Sequence, residues 1–452
     1  MRGSMRSRLA ITLAAGLTAV PLAAGGAGVG TARAAAHDRT ASRHSPNAST
    51  GEVVKAIDAH AQPLRSTEPG GDRSDLDALG RMLDGAHVVG LGEATHNSRE
   101  FFTMKHRVFR YLVETKGFRA FSQEVHVAAG LRIDDYVVNG TGDIGQIMRE
   151  EFQGATRLWN TREYLDLFQW MRAYNARHGA KLRYVGNDID YPGPELFERV
   201  ETYVAAHHPG LLPTVRDLYR DLRPGAGMDA WSRDYPARPL TERKAALADA
   251  NRVGELLRDH GADATVRRYA TFIAQVAEMY AYDLTDPAEL LRAVQHREKA
   301  MADNTIWWSR RTGRTLLSAH NGHVAYGNSR PEHPHRIQGD LIREQIGRRY
   351  VSIGFSFDHG SFNAFDPDGV LRPFTIGPAA EGGNEHTLGR ARYRDYMLDM
   401  RTVPEPARGW LHRARPTRDI GADYPTEPRP VALAAFYDVL IHLDRIRAAT
   451  LR

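Results

Sequence analysis

Residues 88–110 read VVGLGEATHNSREFFTMKHRVFR, and the fold is decided by how this stretch is read. A short apolar run, 87–91, is of the kind that forms a buried strand. Two glycines and a polar loop follow, and then an amphipathic helix. Asn97 is a good N-cap, and Glu100 stands three residues on, where a capping box places its carboxylate. Phe101, Met104, Val108 and Leu112 repeat at helical spacing, and Gly117 after Lys116 supplies a C-cap. Between strand and helix lie Glu93 and His96. A carboxylate and an imidazole at the mouth of a strand–loop–helix unit stand where α/β proteins hold their ligands.

The alternation continues outward from there. Residues 118–122 (FRAFS), 181–185 (KLRYV), 315–319 (TLLSA) and 350–357 (YVSIGFSF) read as strands. Helices are expected at 52–59, 75–83, 128–139 and 161–177. Together they predict an α/β fold, a mainly parallel central sheet flanked by helices. From 192 to 311 the chain changes character, with helical periodicity over 194–206, 211–222, 241–260, 264–283 and 287–311. This predicts a large helical lobe (192–311) inserted into a core formed by 52–191 and 312–452. The apolar segment 431–445 is expected to pack on that core.

The chain has 452 residues, 42% hydrophobic and 25% charged, as in ordinary globular proteins. Residues 1–36 begin with Arg2, Arg6 and Arg8, continue through an apolar run at 9–24 and end in small-residue cleavage candidates. That is the pattern of a secretory signal peptide, so the mature protein is expected outside the cell, with 37–51 as a flexible leader. The run is short and broken by Pro21, which argues against a membrane anchor, and no stable membrane association is expected after its removal. The segment holds four arginines and no acid, so losing it takes the net charge from +5 to +1. No clustered basic face remains to bind nucleic acid. Cysteine is absent, which excludes disulfides, thiol nucleophiles and thiolate metal sites.

Four predicted strands end in side chains that can do chemistry: Glu93/His96, Glu124, Asp188 and His320/His323. In a parallel sheet such ends share one edge. Histidines and carboxylates gathered there suit acid–base hydrolysis by activated water. Each member also has a plain structural use, as a cap or a satisfied polar group. The same residues could hold a catalytic zinc ion, although no HExxH helix is present; His333-x-His335 is ligand-like but flanked by prolines. Gly90-Leu91-Gly92 lacks the third glycine of a dinucleotide fingerprint, and no GxSxG elbow surrounds Ser318 or Ser352.

GEATHNSREFF (92–102) resembles the signature of the erythromycin esterase family. The likeness extends through Gln123-Glu124, Trp159-Asn160, 186–188, 297–304, AHNGHV (319–324), GFSF (354–357) and FYDVLIHLD (436–444). The resemblance implies hydrolysis of a macrolide-type lactone ester, with a small-molecule ester or lactone as substrate and no metal or other cofactor. It also implies His96 as general base, Glu93 and Glu124 as essential carboxylates, and His320 and His323 as a second histidine pair that orients substrate or stabilises the oxyanion. Lys105, Arg99, Asp188 and Asn321 are expected to bind substrate. The family usually has arginine at the position of Lys105; lysine keeps the charge but loses the bidentate fork, which Arg99 or Arg107 could replace. A metal-dependent hydrolase and a non-catalytic binding protein stay open as alternatives.

Overall fold

The computed structural model describes residues 49–225, 227–329 and 335–452. The expected signal segment, most of the leader and His333 lie outside them. The end of the expected leader belongs to a helix: Ser49 caps Thr50–His60 in a capping box with Glu52.

The strands are β1 (Gln62–Pro63), β2 (Val88–Leu91), β3 (Ala120–His126), β4 (Arg183–Asp188), β5 (Thr315–Ser318) and β6 (Tyr350–Phe365), followed by β7 (Leu371–Ile376), β8 (Tyr396–Asp399), β9 (Arg415–Thr417), β10 (Arg429–Val431) and β11 (Val439–Ile446). Nine of them form one sheet, in the order β1-β8-β11-β6-β2-β5-β3-β4 with β7 paired to β6. The six strands from β11 to β4 run parallel. β2, β5 and most of β6 are buried throughout, with neighbours on both faces of the sheet. Val89 and Leu316 join one core with Phe101, Met104 and Val108, whereas Val88 and Leu317 join a second with Val53 and Ile57.

The topology places the site. After β2 the chain crosses through helix Arg99–Lys116 to β3, and the slot between β2 and β3 is filled later by β5. After β5 the chain turns the other way, through helix Gln338–Ile346, to β6 on the far side of β2. The helix after β2 packs into the first core and the helix after β5 into the second. Adjacent strands whose connections leave to opposite faces open a crevice at their carboxyl ends. Glu93 and His96 follow β2, and His320 and His323 follow β5.

Helix Arg99–Lys116 ends on Gly117 at φ 71°, as its C-cap glycine predicts, but its start differs from expectation. The N-cap is Ser98; Asn97 instead donates to Leu158 O and accepts from Asn363 Nδ2. Glu100 closes no capping box either, because its carboxylate accepts from the backbone and guanidinium N–H groups of Arg447. Tertiary partners have outcompeted the local cap. Segment 431–445 does more than pack on the core, for it contains most of β11, an interior parallel strand beside β6.

The helices after β4 share a core with the sheet region, in which Phe197, Tyr219, Phe272, Ile273 and Trp308 meet Val127, Leu131 and Val185. The last of these helices, Pro287–Thr312, carries side chains from the lobe back to the ends of β3 and β4. No helix among the described residues is long and apolar enough to cross a membrane.

Candidate active site

Glu93 is buried and bound on both sides. Its Oε1 lies 2.8 Å from His96 Nδ1, and its Oε2 2.5 Å from Lys105 Nζ. Burial pushes Glu93 up, but the Lys105 ammonium and the His96 hydrogen bond outweigh it and hold the carboxyl below its usual range. An ionised carboxylate only accepts, so His96 Nδ1 carries a proton, and in the neutral tautomer Nε2 holds the lone pair. Trp159 meets the His96 ring at 5.2 Å in an edge arrangement. Lys105 Nζ also donates to Ser318 Oγ at 3.0 Å and Ala319 O at 3.3 Å. Burial draws Lys105 downward, yet three acceptors and no competing donor are the surroundings of an ammonium. Lys105 is thus a partner of Glu93 in the interior.

Glu124 reaches the crevice because β3 slips in register against β4 between Gln123 and His126. Gly186 is required opposite this irregularity, since a Cβ there would lie 2.4 Å from His126 O. Glu124 Oε2 accepts the His320 N–H at 2.8 Å, and Oε1 lies 3.1 Å from His323 Nε2 and 3.5 Å from Arg297 Nη2. His323 Nδ1 in turn lies 2.8 Å from Glu298 Oε1. Burial would depress His323, but the two flanking carboxylates raise it to about 10. His323 is therefore an imidazolium ion-paired with Glu124 on one side and Glu298 on the other, while its Nδ1 and Glu124 Oε1 make no aligned hydrogen bond. The pairing holds Glu124 in place. Burial likewise pushes Glu124 and Glu298 up, and the His323 charge brings both below the usual range.

The sign of the pH dependence follows. Stability lent by His323 is complete below its unfolded value of 6.5 and is lost as pH rises through about 10. Stability lent by Glu124 and Glu298 is complete above 4.5 and is lost as pH falls through their lowered folded values. Urea midpoints are therefore expected to decline from 6.5 up through about 10. His323→Gln should flatten that decline; an unchanged slope in the variant would contradict the clamp.

Asp188 meets Arg297 bidentately, at 2.8 and 2.5 Å, and Arg297 is raised further above its usual value. Asp188 therefore fixes the arginine that faces Glu124. Beside it, burial and the Asp188 charge push the Asp190 carboxyl well above its ordinary value. His320 N-caps the short helix Asn321–Val324, its Nδ1 accepting Gly322 N–H at 3.1 Å. The proton thus sits on Nε2, 3.1 Å from Asp419 Oδ1, with the ring centroid 5.0 Å from that of His96.

Two expected substrate contacts are engaged elsewhere. Arg99 pairs with Glu68 at 2.6 Å, and Arg107 is committed to Asp75, so neither replaces the family's arginine. Asn321 Nδ2 donates to Phe355 O at 2.8 Å and its Oδ1 accepts Phe355 N–H at 3.0 Å. It acts as a peptide surrogate that pins the loop after β5 to β6. Asn321→Leu leaves both Phe355 groups unpaired inside the protein and should cost ~2–4 kcal/mol in urea denaturation. A loss below ~0.5 kcal/mol would show that the pairing carries no weight.

The sequence reading missed Glu298, Asp190 and Asp419. Glu298 had a signal, since it follows Arg297 within the stretch 297–304 that carries the family likeness. Asp419 had none. It stands in a loop that reaches the site through Ile420 and Gly421 N–H bonds to Ala94 O and through His96 N–H to Gly421 O.

The family description "Erythromycin esterase" matches residues 113–446. This chain belongs to that family. The GEATH motif at 92–96 stands just ahead of the matched range. Erythromycin esterase type II of Escherichia coli is 22% identical over 379 residues, 76% of this chain and 87% of that protein. A Bacillus cereus crystal structure superposes with a TM-score of 0.82 at 28% identity, covering 90% of this chain and 100% of the other. An erythromycin esterase mutant in its open conformation shares the fold, with a TM-score of 0.65 at 17% identity over 86% and 99% of the two chains. Family membership supports a hydrolase of the ester or lactone type.

Proposed function

We propose that this family member cleaves an ester or lactone through a water molecule that His96 activates, without a metal ion. One observation carries the reading: His96 Nδ1 is tied to an ionised Glu93, which leaves Nε2 as a lone pair at the carboxyl edge of the sheet. The water oxygen attacks the ester carbonyl carbon while its proton passes to His96 Nε2. The carbon–oxygen bond to the alcohol then breaks, and His96 returns the proton to the departing oxygen. The His320 Nε2–H, within reach of the same space, stabilises the negative charge on the tetrahedral intermediate once it turns from Asp419. His323 acts through Glu124, which holds the His320 backbone.

The donor set supports independence from metal. Both His323 nitrogens face carboxylates, His320 Nδ1 accepts a backbone N–H and Glu93 is neutralised by Lys105. His96 Nε2 is the ring nitrogen with a lone pair to offer, and one such ligand does not make a zinc site. We take a macrolide-type lactone as the first substrate class to test, and export as the fate of the chain on the strength of residues 1–36.

The test is a panel of macrolactones and simple esters given to chelator-treated protein whose metal content is measured. Turnover by metal-free protein supports the proposal. Activity lost on chelation and restored by zinc would replace it with metal-assisted hydrolysis.

A further inference from the structure

The lobe has a recess of its own, away from the crevice. Helices Leu240–Asp259, Ala264–Tyr280 and Pro287–Thr312 border two clefts of about 420 and 440 Å³. Trp307 lines one and Arg311 the other, and the Arg311 guanidinium lies 4.9 Å over the Trp307 ring. Small residues on two helices, Ala250 and Gly254 on one and Ala270 and Ala274 on the next, line the first cleft.

Its charge is one-sided. Arg258, Arg267 and Arg268 line the first cleft, Arg310 and Arg311 the second, and no carboxylate lines either. A sixth arginine, Arg183, is bound to Asp134. The acids whose charge reaches these groups have other partners. Asp303 binds Lys299 and Gln345, and Asp263 caps its own helix. The side chains of Arg258 and Arg267 meet no carboxylate among the described residues.

A solvated cationic face would need no further explanation, but Arg268 is partly desolvated. Its Nε is buried without a hydrogen-bond partner, its Nη2 donates to a neutral amide oxygen, Asn304 Oδ1, and Phe272 and Trp307 cover its guanidinium at 4.8 and 5.4 Å. Burial brings it down to about 10. A half-desolvated guanidinium facing one neutral acceptor, with further arginines beside it, lacks an anion.

We propose that this recess binds an oxyanion group, phosphate or sulfate, between Arg258, Arg267 and Arg268. Planar guanidinium forks match tetrahedral oxyanions through paired N–H donors, which a lysine cluster would not do. The group can arrive on a free phosphate or sulfate ester or on an anionic lipid headgroup. The site is independent of the hydrolytic reading, because none of its residues touches Glu93, His96 or Glu124.

Calorimetric titration with inorganic phosphate and pyrophosphate, at an ionic strength held constant with chloride, tests the free-anion source. Co-sedimentation with phosphatidylglycerol vesicles, against phosphatidylcholine vesicles, tests the lipid source. Saturable binding in either arm is expected to weaken by ~tenfold or more in Arg267→Gln/Arg268→Gln, with any ester hydrolysis unchanged. Arg258→Gln/Arg267→Gln removes two side chains that hold no carboxylate, so a several-fold loss there reports on the site apart from folding. Binding in neither arm, or binding that both variants retain in full, would overturn the proposal.

Discussion

His96→Ala is expected to lower kcat on any accepted ester by ~10²–10⁴ while leaving thermal unfolding within a few degrees of wild type. The size follows from the loss of the group that takes the water proton. The tolerance follows from the surroundings, because Glu93 keeps its ion pair with Lys105 when the imidazole is removed. The backbone bond from His96 N–H to Gly421 O also survives the substitution. His96→Gln is the companion variant. It can still bridge to Glu93 but offers no basic nitrogen, so it should be as inactive as alanine. Steady-state kinetics with circular dichroism melts make the comparison, and activity within threefold of wild type in either variant would remove His96 from the mechanism.

Lys105→Met should give the largest change in stability. Lys105 and Glu93 are both about 1% exposed, and removing the cation leaves a buried carboxylate with His96 as its remaining partner. Breaking one side of a buried pair commonly costs ~3–5 kcal/mol, because the remaining charge stays desolvated. Glu93 should then take up a proton more easily, so its carboxylate would no longer hold the proton on His96 Nδ1 and activity would fall along with stability. The double variant Glu93→Gln/Lys105→Met removes both charges and should recover part of the stability but none of the activity. Urea unfolding of wild type, Lys105→Met, Glu93→Gln and the double variant gives the coupling energy. A single-variant loss below ~1 kcal/mol would mean that the pair is not buried as described.

The strand ends are legible in the sequence because each one stops an apolar run at a charged or polar residue, and parallel topology then forces those stops to a common edge. Glu93, His96, Glu124 and His320 can therefore be brought together from residue order alone. The partners that set their protonation states are not legible in this way. Glu298 is remote in sequence from His323 and from Glu124, and it reaches them on a helix that returns from the lobe. Asp419 arrives on a loop without periodicity. Asn321 and Arg99 show the converse limit, because residue type suggests a ligand contact while the fold engages their polar groups with Phe355 and Glu68. The helix start differs from expectation for a related reason, since Asn97 has better tertiary partners at Leu158 and Asn363 than the helix beside it. The place of β11 in the sheet is unreadable because its neighbour β6 precedes it by some eighty residues, and register between distant strands leaves no local trace.

Attack of a free water on the acyl carbon is the step on which the whole mechanism depends. A single turnover in heavy-oxygen water, with enzyme in excess over an accepted lactone or ester and mass spectrometry of the product, tests it most directly. One heavy oxygen is predicted in the new carboxylate, none in the alcohol and no label in the protein. An unlabelled carboxylate on the first turnover, with the label then found in Glu93 or Glu124, would contradict the claim and make that carboxylate the nucleophile.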